Sequence, residues 1–435
     1  MRYQKEFQTL GHKVRQAWRK HDFNELEFPR IAAEAAASFD LQFEFDPSGI
    51  AEFLNNTTIR QQPTNTFSNL PITVYRDDDF YIELLVWTQA TTEIHEHAFS
   101  GAFKVMQGSS LHTRYAFTCE EKITLNFMIG RLETLGSEQL TRGDIREIPP
   151  GSSGLIHSLY HLDSPSVTMV IRTPGLPACQ PQYAYYQPHF RINPGFFSQD
   201  HCVQMMRKLL AVTAQLEHEK STSLWLDTIP AMDFSRLAWL LVSHHDKVEQ
   251  AALLEDLKAR LLKQHGKRAA RLFQVMAERK RVQDLINART VIVDPELRFF
   301  LAILMNVESR KMIFSLLEAK FPLTNPTEKC AELLARLSTG KTDAAKMLAA
   351  LASQAGANAS HLGRLLETAI PSDINTDPDR IRLYRQLLVS NESTDALDRL
   401  QQVFPDSSPD ALQEFVNRMH RLPQIGQLFG SDSRP

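Results

Sequence analysis

Glycine is scarce, 17 in 435 residues, and no stretch is low in complexity, so collagenous, linker-like and disordered readings are excluded. The four cysteines, Cys119, Cys179, Cys202 and Cys330, include no CxxC pair. That argues against a zinc ribbon, a thioredoxin-type dithiol and a disulfide framework, and it suits the reducing cytoplasm. No run of 18 apolar residues occurs, which speaks against a transmembrane helix. The first residues, MRYQKEFQTLGHKVRQAWRKHDF, mix charge into each apolar stretch and lack the apolar core of a signal peptide. Walker, GxGxxG, GxSxG and HExxH motifs are missing too, leaving the common nucleotide, hydrolase and zincin readings without support. With 48 basic and 51 acidic residues the net charge is -3, so no global field draws nucleic acid or an anionic membrane. The dense Lys and Arg of residues 255–282 leave an apolar stripe of Leu, Ala, Phe, Val and Met, as the solvated face of an amphipathic helix does.

What is present is 43% hydrophobic and 23% charged residues over a length that suits two or three domains. The hydrophobic period divides it. Up to about residue 60 the spacing is helical, as in RIAAEAAASF. From Ile72 to Thr173 it shortens to β-branched and aromatic runs such as ITVYR, FYIELLVW, AFKVMQG and SVTMVIRT, which predict six to eight short strands. The segment TPGLPACQPQYAYYQPHFRINPGFF is expected to wrap this β unit without regular structure, because prolines interrupt it. From about residue 198 the helical period returns. Asp294, Asn325, Asp377 and Ser408 each precede a proline and read as helix N-caps. The expected fold class is therefore α+β and multidomain: N-terminal helices (1–60), a β-barrel carrying the site (61–197) and an all-α C-terminal domain (198–435).

The most informative segment is TTEIHEHAFSGAFKVMQG. His95 and His97 alternate on a strand, so both imidazoles leave one face while Glu96 points away. Two neutral imidazoles facing a barrel interior make half of a site for divalent iron, nickel, copper or zinc. This spacing resembles the first motif of the cupin family: His95, His97 and Gly108 fit, and Gly101 stands where the usual carboxylate ligand would be. The second cupin motif is echoed in GDIREIPPGSSGLIH by Gly143, Pro149 and Gly151, with a histidine, His157, later than usual and His161 as the competing third ligand. The resemblance covers roughly residues 70 to 175.

Three histidines without a carboxylate make the segment similar to the cysteine dioxygenase branch of cupins, the thiol dioxygenases. ITVYRDDDFYIELLVW before IHEH resembles that branch's Tyr-x-Arg ahead of a strand ending in Trp. The resemblance implies Fe(II) held by His95, His97 and His157, O2 as co-substrate, and Arg76 as the clamp on a substrate carboxylate. A surface ion pair with Asp77 to Asp79 is the other reading of Arg76. Nickel, manganese and zinc stay open as the metal. The branch's Ser-x-His-x-Tyr is missing; Thr168, Val170 and Arg172 occupy the alternating positions, and Arg172 could supply a second anion clamp. His112 reads equally as a partner of a ligand histidine or as an ordinary surface or core residue. The expected function is an iron dioxygenase acting on a small anionic, thiol- or carboxylate-bearing substrate. A cupin serving as sensor or scaffold, with its helical region binding a protein partner or a second copy, is the alternative.

Overall fold

The β-branched and aromatic runs between residues 70 and 192 form eleven strands in a computed structural model that describes residues 3–56, 67–88, 92–150, 154–216, 222–243, 251–338, 361–390 and 393–429. These are β1 (Leu70–Arg76), β2 (Tyr81–Trp87), β3 (Ile94–His95), β4 (Gly101–Gln107), β5 (Ser110–Thr124), β6 (Phe127–Leu140), β7 (Ile145–Ile148), β8 (Ile156–His161), β9 (Ser166–Arg172), β10 (Ala184–Tyr186) and β11 (Phe190–Ile192). All the pairings are antiparallel. One sheet runs β1-β2-β9-β4-β7 and the second β10-β11-β6-β5-β8-β3, closing as a barrel. Numbering β2 to β9 as eight successive strands, the first, eighth, third and sixth share one sheet and the second, seventh, fourth and fifth the other. This interleaving is the double-stranded β-helix, the jelly roll of the cupin type.

Helices α1 (Gln4–Arg19), α2 (Phe28–Ala37) and α3 (Pro47–Asn56) precede the barrel. Their buried Phe7, Val14, Phe28 and Phe53 share a core with the outward-facing Ile72, Val74, Ile82 and Met169 of the first sheet. The inward faces of the strands are left for the cavity, as period-two alternation requires.

The proline-rich segment differs from its expected irregularity. Its Ala184–Tyr186 and Phe190–Ile192 are strands that pair with β3 and β6 and complete the second sheet. Pro181 and Pro188 fall outside the two strands, where a missing N–H breaks no ladder, and the aromatics between them supply the buried face.

Beyond the barrel come α4 (Pro194–Gln199), α5 (His201–Leu216), α6 (Phe234–Ser243), α7 (Ala251–His265) and α8 (Lys267–Val291). The later helices are α9 (Pro295–Asn306), α10 (Arg310–Lys320), α11 (Pro326–Ser338), α12 (His361–Ala369), α13 (Asp377–Val389), α14 (Ser393–Val403) and α15 (Pro409–Arg421). The chain divides into two compact units, Met1–Met276 and Ala277–Pro435, and the division lies within α8. The reason is a shared core: Phe127, Phe190 and Ile192 of the second sheet are buried together with Phe197, Trp239 and Leu257 from α4, α6 and α7. The basic stretch 255–282 falls in α7 and α8, where Arg260 pairs with Asp227 (2.7 Å), and Arg268 (2.5 Å) and Arg271 pair with Glu121 and Glu120 of β5.

Helix starts follow the caps closely. Asp294 accepts from the N–H groups of Glu296 and Leu297, and Asn325 from those of Thr327 and Glu328. Asp377 is not a cap: Thr376, one residue earlier, accepts from Asp379 N, and Asp377 is the first helical residue. Ser408 occupies the cap position without a side-chain bond. Among the described residues no helix is long and apolar enough to cross a membrane.

Candidate metal centre

β3 and β8 are neighbours in the second sheet with His95 directly opposite His157, and His97 follows two residues on. Cross-strand partners and i, i+2 positions share a face, so all three rings enter the barrel. Their ring centroids are 4.6, 4.8 and 5.0 Å apart, and one nitrogen from each lies within 4.8 Å of the others. All three are buried.

Burial sets their charge state. It pushes His95 down to about 4. His97 and His157 are held well below the ordinary histidine range, first by burial and then by the neighbouring imidazoles. Near neutral pH the cluster is three uncharged nitrogen donors, the form in which imidazole binds a metal.

Hydrogen-bond partners decide which nitrogen faces inward. His95 Nδ1–H donates to the carbonyl of Glu93 (2.7 Å), leaving Nε2 its lone pair, and that atom is buried without a partner. His157 is fixed by a longer chain. The Glu138 carboxylate, bonded by Arg146, can only accept, so His112 Nδ1–H donates to it (3.0 Å). His112 Nε2 then accepts from His157 Nδ1–H (2.9 Å), and His157 Nε2 is left with a lone pair. That Nε2 stands 2.9 Å from His97 Nε2. Metal–nitrogen bonds of about 2.1 Å at near-right angles would set two ligand nitrogens about 3 Å apart, so the spacing fits a shared ion. His97 Nδ1 is buried and unpartnered. The donor set of three neutral imidazoles suits divalent iron, nickel or zinc.

The carboxylate position of the usual motif is closed. A Cβ on Gly101 would meet the Ile171 carbonyl oxygen at 2.2 Å and Arg172 Cα at 3.0 Å, because β4 lies against β9 there. Of the second motif's residues, Gly143 takes φ +97° at the β6–β7 turn, as glycine allows, Pro149 ends β7, and Gly151 lies outside the described residues.

His161 is not in the cluster. Its Nδ1 has the hydroxyls of Ser110 and Ser166 at 2.9 Å, its ring stacks on Trp87 at 4.4 Å, and burial holds it down to about 3.

A cavity of about 270 Å3 opens beside the histidines, with His97 and His157 in its wall. Most of the lining is apolar: Leu85, Phe99, Phe103, Ile148, Leu159 and Val170. Thr168 lines it and accepts from Trp87 Nε1–H (3.0 Å). Arg172 lines it as well, its guanidinium 3.5 Å above the Phe99 ring centroid. Arg172 Nε has no hydrogen-bond partner, and the nearest carboxylate oxygen, Glu83 Oε2, is 3.9 Å from Nη1. Arg76 lies elsewhere. It is exposed at the end of β1, across from Tyr81, and is not among the cavity-lining residues. The β1 register shift between Thr73 and Tyr75 changes the alternation just before it. Asp77 and Asp79 bond Arg15, at 2.8 and 3.0 Å.

Sequence reading passed over Glu83, Glu138 and Arg146. Glu83 sits mid-strand in YIELLVW, where a buried carboxylate between apolar neighbours is itself a signal. Glu138 and Arg146 lie on strands whose facing could not be read from one chain.

No known family profile matches the chain, and no curated protein does. Solved structures do. A hydroquinone 1,2-dioxygenase in complex with Cd2+ and 4-hydroxybenzonitrile shares 14% identity over 30% of this chain and 72% of its own, with a TM-score of 0.20. A hydroquinone 1,2-dioxygenase from Sphingomonas sp. TTNP3 with 4-hydroxybenzoate bound shares 14% over 32% and 87%, TM-score 0.20. A cupin superfamily protein from Desulfitobacterium hafniense DCB-2 shares 14% over 27% and 92%, TM-score 0.16.

Proposed function

We propose that this chain is a mononuclear non-haem iron dioxygenase of the cysteine dioxygenase-like cupin type, acting on a small anionic molecule with O2 in the cytoplasm. The observation that carries the reading is three neutral, buried imidazoles with two inward lone pairs fixed by hydrogen bonds, beside a cavity whose wall holds a half-buried arginine with a buried, unpartnered Nε. His95, His97 and His157 would hold the ion. A bound divalent iron supplies one-electron chemistry and an open position for O2 and for an anionic substrate group.

The chain's own residues do the rest. Three neutral ligands leave the full charge of a divalent ion uncompensated, which favours a thiolate, enolate or carboxylate partner. Glu93 O and the His112–Glu138 pair hold their ring protons on Nδ1, so His95 and His157 turn Nε2 inward without reorganising. Arg172 binds the substrate's anionic end, its plane held against Phe99. The apolar wall keeps bulk water out and strengthens both contacts.

The test is elemental analysis of protein purified without a histidine tag, followed by oxygen uptake of the Fe(II)-loaded protein with small thiols, β-diketones and arylalkyl carboxylates. Iron near one per chain with substrate-dependent uptake supports the proposal. Protein that binds no metal would refute it and favour a cupin working as a sensor or scaffold.

A further inference from the structure

The wall around Arg172 has an unusual polarity for an anion site. Glu83 and Arg172 both line the cavity. β2 and β9 are paired, with Glu83 opposite Val170 and Arg172 opposite Tyr81, so the acid and the base are diagonal neighbours on the inward face. Both side chains are withdrawn from water, at 2% and 20% exposure. Yet their closest approach is 3.9 Å, about 1 Å longer than a charge-assisted hydrogen bond. Arg172 Nε has no partner. A guanidinium largely withdrawn from water, with its Nε–H buried and unmet, is an under-satisfied charge, and an acceptor on the ligand would complete it. A simple carboxylate arriving there meets Glu83 as well, and two carboxylates that close repel.

Resting on the reading of this cavity as a substrate site, we infer that its ligand carries a carboxylate with a hydrogen-bond donor on the neighbouring carbon, an α-hydroxy or α-amino acid head, on an apolar body of aryl size. The carboxylate takes Arg172. The hydroxyl or ammonium donates to Glu83 and turns the repulsion into a bond. The remainder lies along Phe99, Phe103, Leu85 and Val170. Tyr81 stands 5.2 Å from the guanidinium and stays a neutral phenol, since burial raises its pKa. It adds a neutral donor and no second charge. Head discrimination of this kind is large where a site is built for the donor, because the analogue lacking it leaves a buried polar group unpaired.

The experiment is calorimetric binding of three probes to the full chain: 3-phenylpropionate, 3-phenyllactate and phenylalanine. The expected result is at least about tenfold tighter binding of either α-substituted probe than of 3-phenylpropionate. Glu83→Gln should cut that preference to under about threefold by admitting the plain acid, and Arg172→Met should weaken all three by at least about tenfold. Circular dichroism checks folding of the variants, and Glu83→Asp, which keeps the charge but shortens its reach, should give an intermediate preference. The same series on wild-type protein stripped of metal with a chelator separates the two readings: the preference should persist there, while oxygen uptake is lost. Equal affinities for the three probes, no binding of any at millimolar concentration, or a preference unchanged by Glu83→Gln overturns the inference, whatever the metal analysis gives.

Discussion

The segment 94–97 has two faces, and they are finished differently. Outward, both oxygens of Glu96 have donors: Arg191 Nη2 at 3.0 and 3.3 Å and the Tyr185 hydroxyl. The Arg191 guanidinium also lies 3.9 Å over Tyr183. Inward, His95 Nε2, His97 Nδ1 and Arg172 Nε are buried with nothing to bond. One residue of register separates a side chain that holds the barrel together from a neighbour that is open to a ligand. Buried polar atoms are ordinarily satisfied. His95 Nε2 is buried without a partner beside the other two imidazoles, and Arg172 Nε is buried without one in the cavity wall, which marks where an ion and a substrate would complete the structure. On the outer face, by contrast, both oxygens of Glu96 are bonded, although Arg191 Nε is itself unpartnered.

The comparison can be broken most severely at Gly101. Gly101→Glu, which restores the carboxylate of the usual cupin motif, should not add a ligand, because its Cβ would collide with the Ile171 carbonyl. We expect a loss of about 3 kcal/mol or more in chemical denaturation. A variant of wild-type stability with tighter metal binding would show that the carboxylate position is open after all.

His112→Phe attacks the inner face through its support. It removes the acceptor for His157 Nδ1–H and should lower metal affinity about 10- to 100-fold, with His112→Gln recovering part of the loss through its carbonyl oxygen. Competition with a chelator reads the affinity, and metal-free melting shows whether the fold has been kept. Unchanged affinity would make His112 an ordinary core residue.

Glu96→Ala, on the outer face, should do the reverse. Stripping the partner from a partly buried arginine should cost about 2 kcal/mol of stability while metal affinity stays within about twofold. Metal loss without destabilisation would merge the two faces that we separate.

The smallest effect is on pH. Arg146, then His112, hold the Glu138 carboxyl down to about 2 although burial opposes them. A depressed folded-state pKa gives stability that is full above the ordinary carboxylate range, near 4.5, and is lost as pH falls toward 2. The group is over a third exposed, at 38%, so solvent screening keeps the contribution small. Glu138→Gln should flatten the stability–pH curve in that acid window alone; a curve that still falls equally there would assign the acid sensitivity to other carboxylates.

The part of this organisation written in local pattern could be read from sequence. Alternation put His95 and His97 on one face, and proline after Asp294 and Asn325 marked two helix starts. What sequence hid depends on partners far along the chain. His112 reaches Glu138 because β5 and β6 are paired with these residues opposite, and His157 was separated from His161 by its position opposite His95. Glu83 matters because β9 brings Arg172 beside it. The strands at 184–186 and 190–192 were masked by flanking prolines, since short strands signal more weakly than the breakers around them. Thr376 was overlooked as a cap because Asp377 stands next to the proline, although Asp377 is equally suited to the first turn.

The most direct test of the account is metal stoichiometry in two proteins, the wild type and His95→Ala/His97→Ala, each purified without a tag, stripped, and dialysed against Fe(II) without oxygen. The account predicts about one ion per chain in the first and close to none in the second, with both folded. Equal occupancy in the two, or none in either, would contradict it.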